Sequence, residues 1–152
     1  MPAVVMFFGI GMLLNAIMGP GGEWAAAHPE GWPVLNILRP LFKQIVPNTP
    51  LQYILVFAVA APLALYRGPL NIWGMGYGVA AVFMASGLPA GAVMGMLITV
   101  GQIQGISDPT NTHNVWLANE MDQNVQKILQ NTLPYSWLLA IIGLIFSALW
   151  FM

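Results

Sequence analysis

The side chains best equipped for chemistry stand together in "SDPTNTHN", positions 107–114, which holds Ser107, Asp108, Thr110, Asn111, Thr112, His113 and Asn114. Their short hydroxyl, amide and carboxylate groups suit hydrogen bonding to a hydroxylated or carboxylated solute. Ser107, Thr110, Asn111 and Thr112 also offer the hard oxygens that coordinate Na⁺. Asp108 and His113 have the chemistry to carry a proton. A sparser group lies in "YRGPLN", positions 66–71, where Arg67 offers a guanidinium to an anion beside Gly68 and Asn71. A helix starting near Pro69 would add the positive end of its dipole. Each group also has a plain structural role. Asp108 and Pro109 match an N-cap followed by proline at the first helical position, and Arg67 fits an exterior loop between two short helices. Capping alone leaves the other polar residues of 107–114 without a role.

No catalytic arrangement competes with a binding one. The chain contains neither H-E-x-x-H nor G-x-S-x-G, His28 and His113 lack metal-ligand spacing, and the absence of Cys removes thiolate and disulfide chemistry. The chain therefore reads as a non-enzyme with no resident cofactor, and Na⁺ or H⁺ enters only as a coupling ion. A net charge of -1 gives no electrostatic basis for a nucleic-acid partner.

The elements that must position these residues are set by hydropathy. Of 152 residues 58% are hydrophobic and 6% charged, against roughly 25% charged in soluble domains. Positions 1–22, 44–66, 68–107 and 128–152 contain no Asp, Glu, Lys or Arg. A bilayer core needs roughly 20 mainly apolar residues per spanning helix, so these runs predict an all-α integral membrane protein with about five membrane segments. "ILVFAVAAPLAL", positions 54–65, is apolar on every face, which excludes the alternating pattern of a β-barrel.

The chain divides into a first helix over 1–18, a polar and interfacial connection over 19–50, a broken-helix region over 51–118, an amphipathic connector over 119–132 and a last helix over 133–152. "GPGG" at 19–22 ends the first helix, and its amino terminus lacks the positive region of a cleaved signal peptide. The connection carries Glu23, His28, Glu30, Arg39 and Lys43 with Pro29, Pro33, Pro40, Pro47 and Pro50, and "VLNILRPLFKQIV" within it predicts a broken headgroup-layer helix. Met121, Val125, Ile128 and Leu129 form the stripe of one amphipathic helix. Gly74, Gly76 and Gly78 with Ala80, Ala81 and Ala85 predict a face for close helix packing. Tyr135, Trp137, Trp150 and Phe151 give the last helix an aromatic belt, and Pro134 is expected near its first turn.

Gly/Pro-broken helices at membrane depth survive only against protein or a water-filled cavity, and in secondary transporters they build midplane substrate sites. Positions 66–71 and 107–114 are two such breaks. Asp108 is the sole counter-charge candidate for Arg67 at that depth, so whether the two face one cavity decides how the breaks are read.

The order of "LALYRGPLNIWGMGYG", "SGLPAGAVMGMLITVGQIQGISDPTNTHNVWLANEM" and "QKILQNTLPYSWLLAIIGLI" resembles the carboxy-terminal part of gluconate/citrate-type permeases of the ion transporter superfamily. The likeness spans about positions 50–152, with 1–18 fitting one preceding helix. It implies half of an inverted-repeat transporter of the cell (inner) membrane, moving a small organic anion such as citrate or gluconate with H⁺ or Na⁺. The positions it carries over as substrate-binding are Arg67, Gly68, Asn71, Asp108, Thr110, Asn111, His113 and Asn114. Such permeases have about twice this number of helices, so the chain is expected to be a carboxy-terminal fragment or split subunit completed by an amino-terminal half or by another copy. Two other readings stay open: a cation/proton antiporter half with Asp108 as the exchanged carboxylate, and a non-transporting membrane scaffold or accessory subunit.

Overall fold

The computed structural model describes residues 46–74 and 76–152, preceded only by scattered positions. Of the expected first helix only positions 4, 5, 8, 9, 11, 12, 15 and 16 are described, each of them helical, and most of the interfacial connection falls outside the described residues. Across 46–152 the chain forms helix α1 over Pro50–Ala60, a 3₁₀ helix over Ala61–Arg67, α2 over Gly76–Ala85, α3 over Ala90–Ser107, α4 over Thr112–Glu120 and α5 over Val125–Phe151. Every regular element among the described residues is helical.

Three stretches are long and apolar enough to cross a membrane: Pro50–Arg67, Ala90–Glu120 and Val125–Phe151, whose apolar 18-residue segments have mean hydropathies of 1.4, 1.3 and 1.8. This agrees with a helical membrane fold. Helix α2 is different, because its 10 residues reach only about 15 Å, half a bilayer core.

Each long helix buries one stripe. On α1 and the 3₁₀ helix it is Tyr53, Phe57, Ala61 and Ala64; on α3, Val93, Met96, Val100 and Ile103; on α5, Ser136, Ala140, Leu144 and Ala148. Steps of three and four keep these residues on one face of a 3.6-residue helix. The outward faces stay apolar, as at Leu55, Val59, Leu138, Phe146 and Leu149, which suits a hydrocarbon surrounding rather than water.

Helices α3 and α5 pack antiparallel at close range, in a ladder with a step of four. A Cβ at Gly91 would run into the Phe151 ring, one at Gly95 into the Ser147 hydroxyl, and one at Gly143 into the Thr99 side chain. Small residues let the two backbones approach, which is how helices associate where no hydrophobic driving force separates helix from lipid.

Two boundaries differ from expectation. The amphipathic stripe through Met121 is cut by a turn at 121–124, where Asp122 is left-handed with φ 48 and the Asn124 side chain caps α5 by accepting from Gln126 N at 2.9 Å. From there α5 runs unbroken, so Pro134 lies in its interior. Proline at 134 removes one N–H, orphaning the Gln130 carbonyl on an exposed stretch of the helix.

Candidate functional site

The break after α3 is built from the carbonyls that the helix end leaves unpaired. Asn111 Nδ2 donates to the carbonyl of Gln104 and, at 3.3 Å, to that of Gly105. In return, Gln104 Nε2 donates to Asn111 Oδ1 at 2.6 Å. Asn114 Nδ2 donates to Ile106 O at 3.0 Å and Asp108 O at 2.9 Å. Two asparagine amides from the start of α4 and its preceding turn thus close the carboxyl end of α3. The backbone of Asp108 is extended, and its N–H still bonds Gln104 O at 3.3 Å.

The Asp108 side chain is completely buried and acts only as an acceptor. One oxygen takes Thr110 N at 2.7 Å and the Thr110 hydroxyl at 2.6 Å; the other takes Tyr66 N at 2.6 Å. Tyr66 belongs to the other break, 42 residues earlier. Asp108 is therefore not the expected N-cap with Pro109 opening a helix, since α4 starts at Thr112 after Asn111; its carboxylate instead ties the two breaks together. Placing a charged group at membrane depth costs roughly 2.5–3.5 kcal/mol, and three charge-assisted hydrogen bonds are the means of offsetting it.

The first break starts at Pro62. Lacking an N–H, this proline leaves Ala58 O without its helical donor, and the Trp137 indole of α5 donates to that carbonyl at 2.7 Å. The chain tightens into the 3₁₀ helix, becomes extended at Leu65, and turns left-handed at Tyr66 (φ 54) and Arg67 (φ 56). Each left-handed non-glycine residue costs about 1–2 kcal/mol. Gly68 follows because a Cβ there would strike the Leu63 carbonyl, and Pro69 keeps it extended.

Asn71, completely buried, joins the two ends of this break. Its Nδ2 donates to Ala64 O at 3.1 Å, and its Oδ1 accepts Trp73 N at 2.7 Å. The Asn71 carbonyl accepts Gly74 N at 3.0 Å and Gly76 N at 2.8 Å. A Cβ on Gly74 or Gly76 would meet the backbone of Arg67 or Asn71. These glycines therefore serve close approach inside the break, where the sequence had suggested packing between helices.

The structure thus sorts the sequence-derived site residues. Asn71, Asp108 and Asn114 are buried, Gly68 and Asn111 half-buried, and Arg67, Thr110, Thr112 and His113 exposed. The Arg67 guanidinium is not among the groups bonded to Asp108. The four oxygens suited to Na⁺ also have separate engagements. Ser107 bonds to α5, Thr110 to Asp108 and Asn111 to Gln104, while Thr112 stands exposed at the first position of α4. Comparison with family models, with curated proteins and with solved structures finds no match to this chain.

Several polar residues around the breaks escaped the sequence reading. Ser107 Oγ lies 2.8 Å from Ser136 Oγ and accepts the Thr132 hydroxyl at 2.9 Å, forming a hydroxyl cluster between α3 and α5. At the opposite end of α3, the Tyr53 hydroxyl reaches Ala92 O at 2.7 Å and Ser147 Oγ at 2.9 Å, fastening α1 to both other long helices. A signal existed for part of this, since Thr132, Ser136 and Ser147 share one face of an otherwise apolar helix. Among the described residues, no buried side-chain nitrogen or oxygen lacks a hydrogen-bond partner.

Proposed function

We propose that this chain is the carboxy-terminal half of a secondary transporter of the cell (inner) membrane, moving a small organic anion such as a carboxylate with H⁺ or Na⁺. The observation that carries the reading is the bond from Tyr66 N to the buried Asp108 carboxylate. It brings together two unwound segments beside three helices long enough to span. Unwound backbone at membrane depth, sheltered by protein and next to a cation, is the recurring construction of transporter sites. Arg67 is the anion-binding group, exposed at the edge of that junction, where an amino-terminal half or a second copy completes the pathway.

The test is uptake of radiolabelled citrate or gluconate into proteoliposomes holding the complete assembly under an imposed Na⁺ or H⁺ gradient. Arg67→Ala is expected to lower uptake by roughly tenfold or more, the equivalent of one charge-assisted hydrogen bond. Absence of ion-dependent carboxylate flux in the intact assembly rejects the reading. The full internal pairing of buried polar groups favours a second reading, a membrane scaffold whose breaks are spent on one another. Its mark is uptake by the assembly that Arg67→Ala leaves unchanged.

A further inference from the structure

We infer that Asp108 is a latch: a positioning residue that holds the left-handed turn at Tyr66–Arg67 in place, rather than a ligand for solute or coupling ion. Three observations converge on this. Both carboxylate oxygens are occupied, by Tyr66 N on one side and by Thr110 N and Oγ1 on the other. The side chain has no exposed surface, so a solute reaches it only after one of those bonds opens. The residue it grips opens a pair of consecutive left-handed non-glycine residues, with φ 54 and 56.

A strained turn persists when its surroundings over-determine it. Here the determining contact comes from the far break and is charge-assisted, the stronger kind of hydrogen bond. Tyr66 itself is 57% exposed, so its side chain supplies little packing to hold the turn. The latch also sets where Arg67 stands, because the left-handed pair turns the chain just ahead of Gly68. Asp108 thereby acts on the guanidinium through the backbone, without touching it.

The inference concerns the resting conformation of the break and stands whether or not the chain transports a carboxylate. The experiment is hydrogen–deuterium exchange by mass spectrometry on the full chain in lipid nanodiscs, following peptides over residues 63–67 and over 96–103. Asp108→Asn leaves the side chain a single carbonyl oxygen for two sets of donors. It is expected to speed exchange over 63–67 by roughly tenfold to a hundredfold, the loss of one hydrogen bond to a charged group, with 96–103 unchanged. Tyr66→Gly, which accepts positive φ without steric cost, is expected to recover the denaturation midpoint lost in Asp108→Asn when the two are combined, although the residue-66 amide itself stays fast because its charged acceptor is still missing. Unchanged exchange over 63–67 in Asp108→Asn overturns the latch. If the single variant fails to fold, the double variant decides: folding of Tyr66→Gly/Asp108→Asn upholds the latch, and its failure shows a packing role instead.

Discussion

The two breaks interrupt apolar chain in the same way, yet their support comes from opposite directions. The break at 107–111 has its carbonyls closed by amides of the same segment: Gln104, Asn111 and Asn114 lie within eight residues of the oxygens they serve, and only the side chains of Ser107 and Asp108 reach other elements. The break at 62–74 draws its side-chain support mostly from outside. Trp137 of α5 donates to Ala58 O and Asp108 accepts from Tyr66 N, while Asn71 is the one local side chain that holds it. A self-capped break survives as a unit when its neighbours shift. One held by groups on other elements changes shape when those elements move, which makes 62–74 the segment among the described residues suited to switching.

The sharpest way to break that contrast is Asn71→Ala. This removes the one local side-chain support of the first break and leaves unpaired Ala64 O in a buried contact and Trp73 N in a part-buried one. At about 1–3 kcal/mol for each unsatisfied group, destabilisation of roughly 2–5 kcal/mol is expected, read as a lowered denaturation midpoint in detergent. A loss below about 1 kcal/mol would mean that the external contacts carry the break alone.

Asn114→Ala comes next. It frees Ile106 O and Asp108 O, of which the Asp108 contact is buried, and is expected to cost about 1–3 kcal/mol. Its exchange signature should stay confined to residues 105–115 because the freed carbonyls are capped from within this break, while its outside ties run through the side chains of Ser107 and Asp108. Spread of fast exchange into 62–74 would show that the two breaks open together, and the contrast drawn above would fail.

Much of the helical frame could be read from the sequence, because long uncharged apolar runs have few other solutions at this composition. The breaks were legible too: "YRGP" carries a Gly-Pro pair, and "SDPTNT" combines proline with residues that compete for backbone hydrogen bonds. Their meeting was not, since a bond between residues 66 and 108 has no periodic signature. The turn at 121–124 was overlooked because the apolar spacing of Met121 and Val125 continues across it, while Asp122 and Asn124 supply turn and capping chemistry that the stripe conceals. Asn111 and Asn114 drew attention as solute ligands by residue type alone. Only coordinates show that their amide hydrogens are spent on α3.

The smallest effect gives the finest test of external support. Trp137→Phe keeps the aromatic packing but deletes the indole N–H that serves Ala58 O, and is expected to cost about 1 kcal/mol, the net value of a typical hydrogen bond. The cause of that need is Pro62. Replacing it with Ala supplies a backbone N–H one helical turn after Ala58, so Pro62→Ala should be tolerated and should remove most of the penalty of Trp137→Phe. In a double-mutant cycle the two changes are then coupled, although residues 62 and 137 lie on different helices. Additive effects would show that Trp137 contributes only packing and that the first break does not rely on α5. Coupling would place the origin of the break at a single missing proton donor in the sequence, with α5 supplying the replacement.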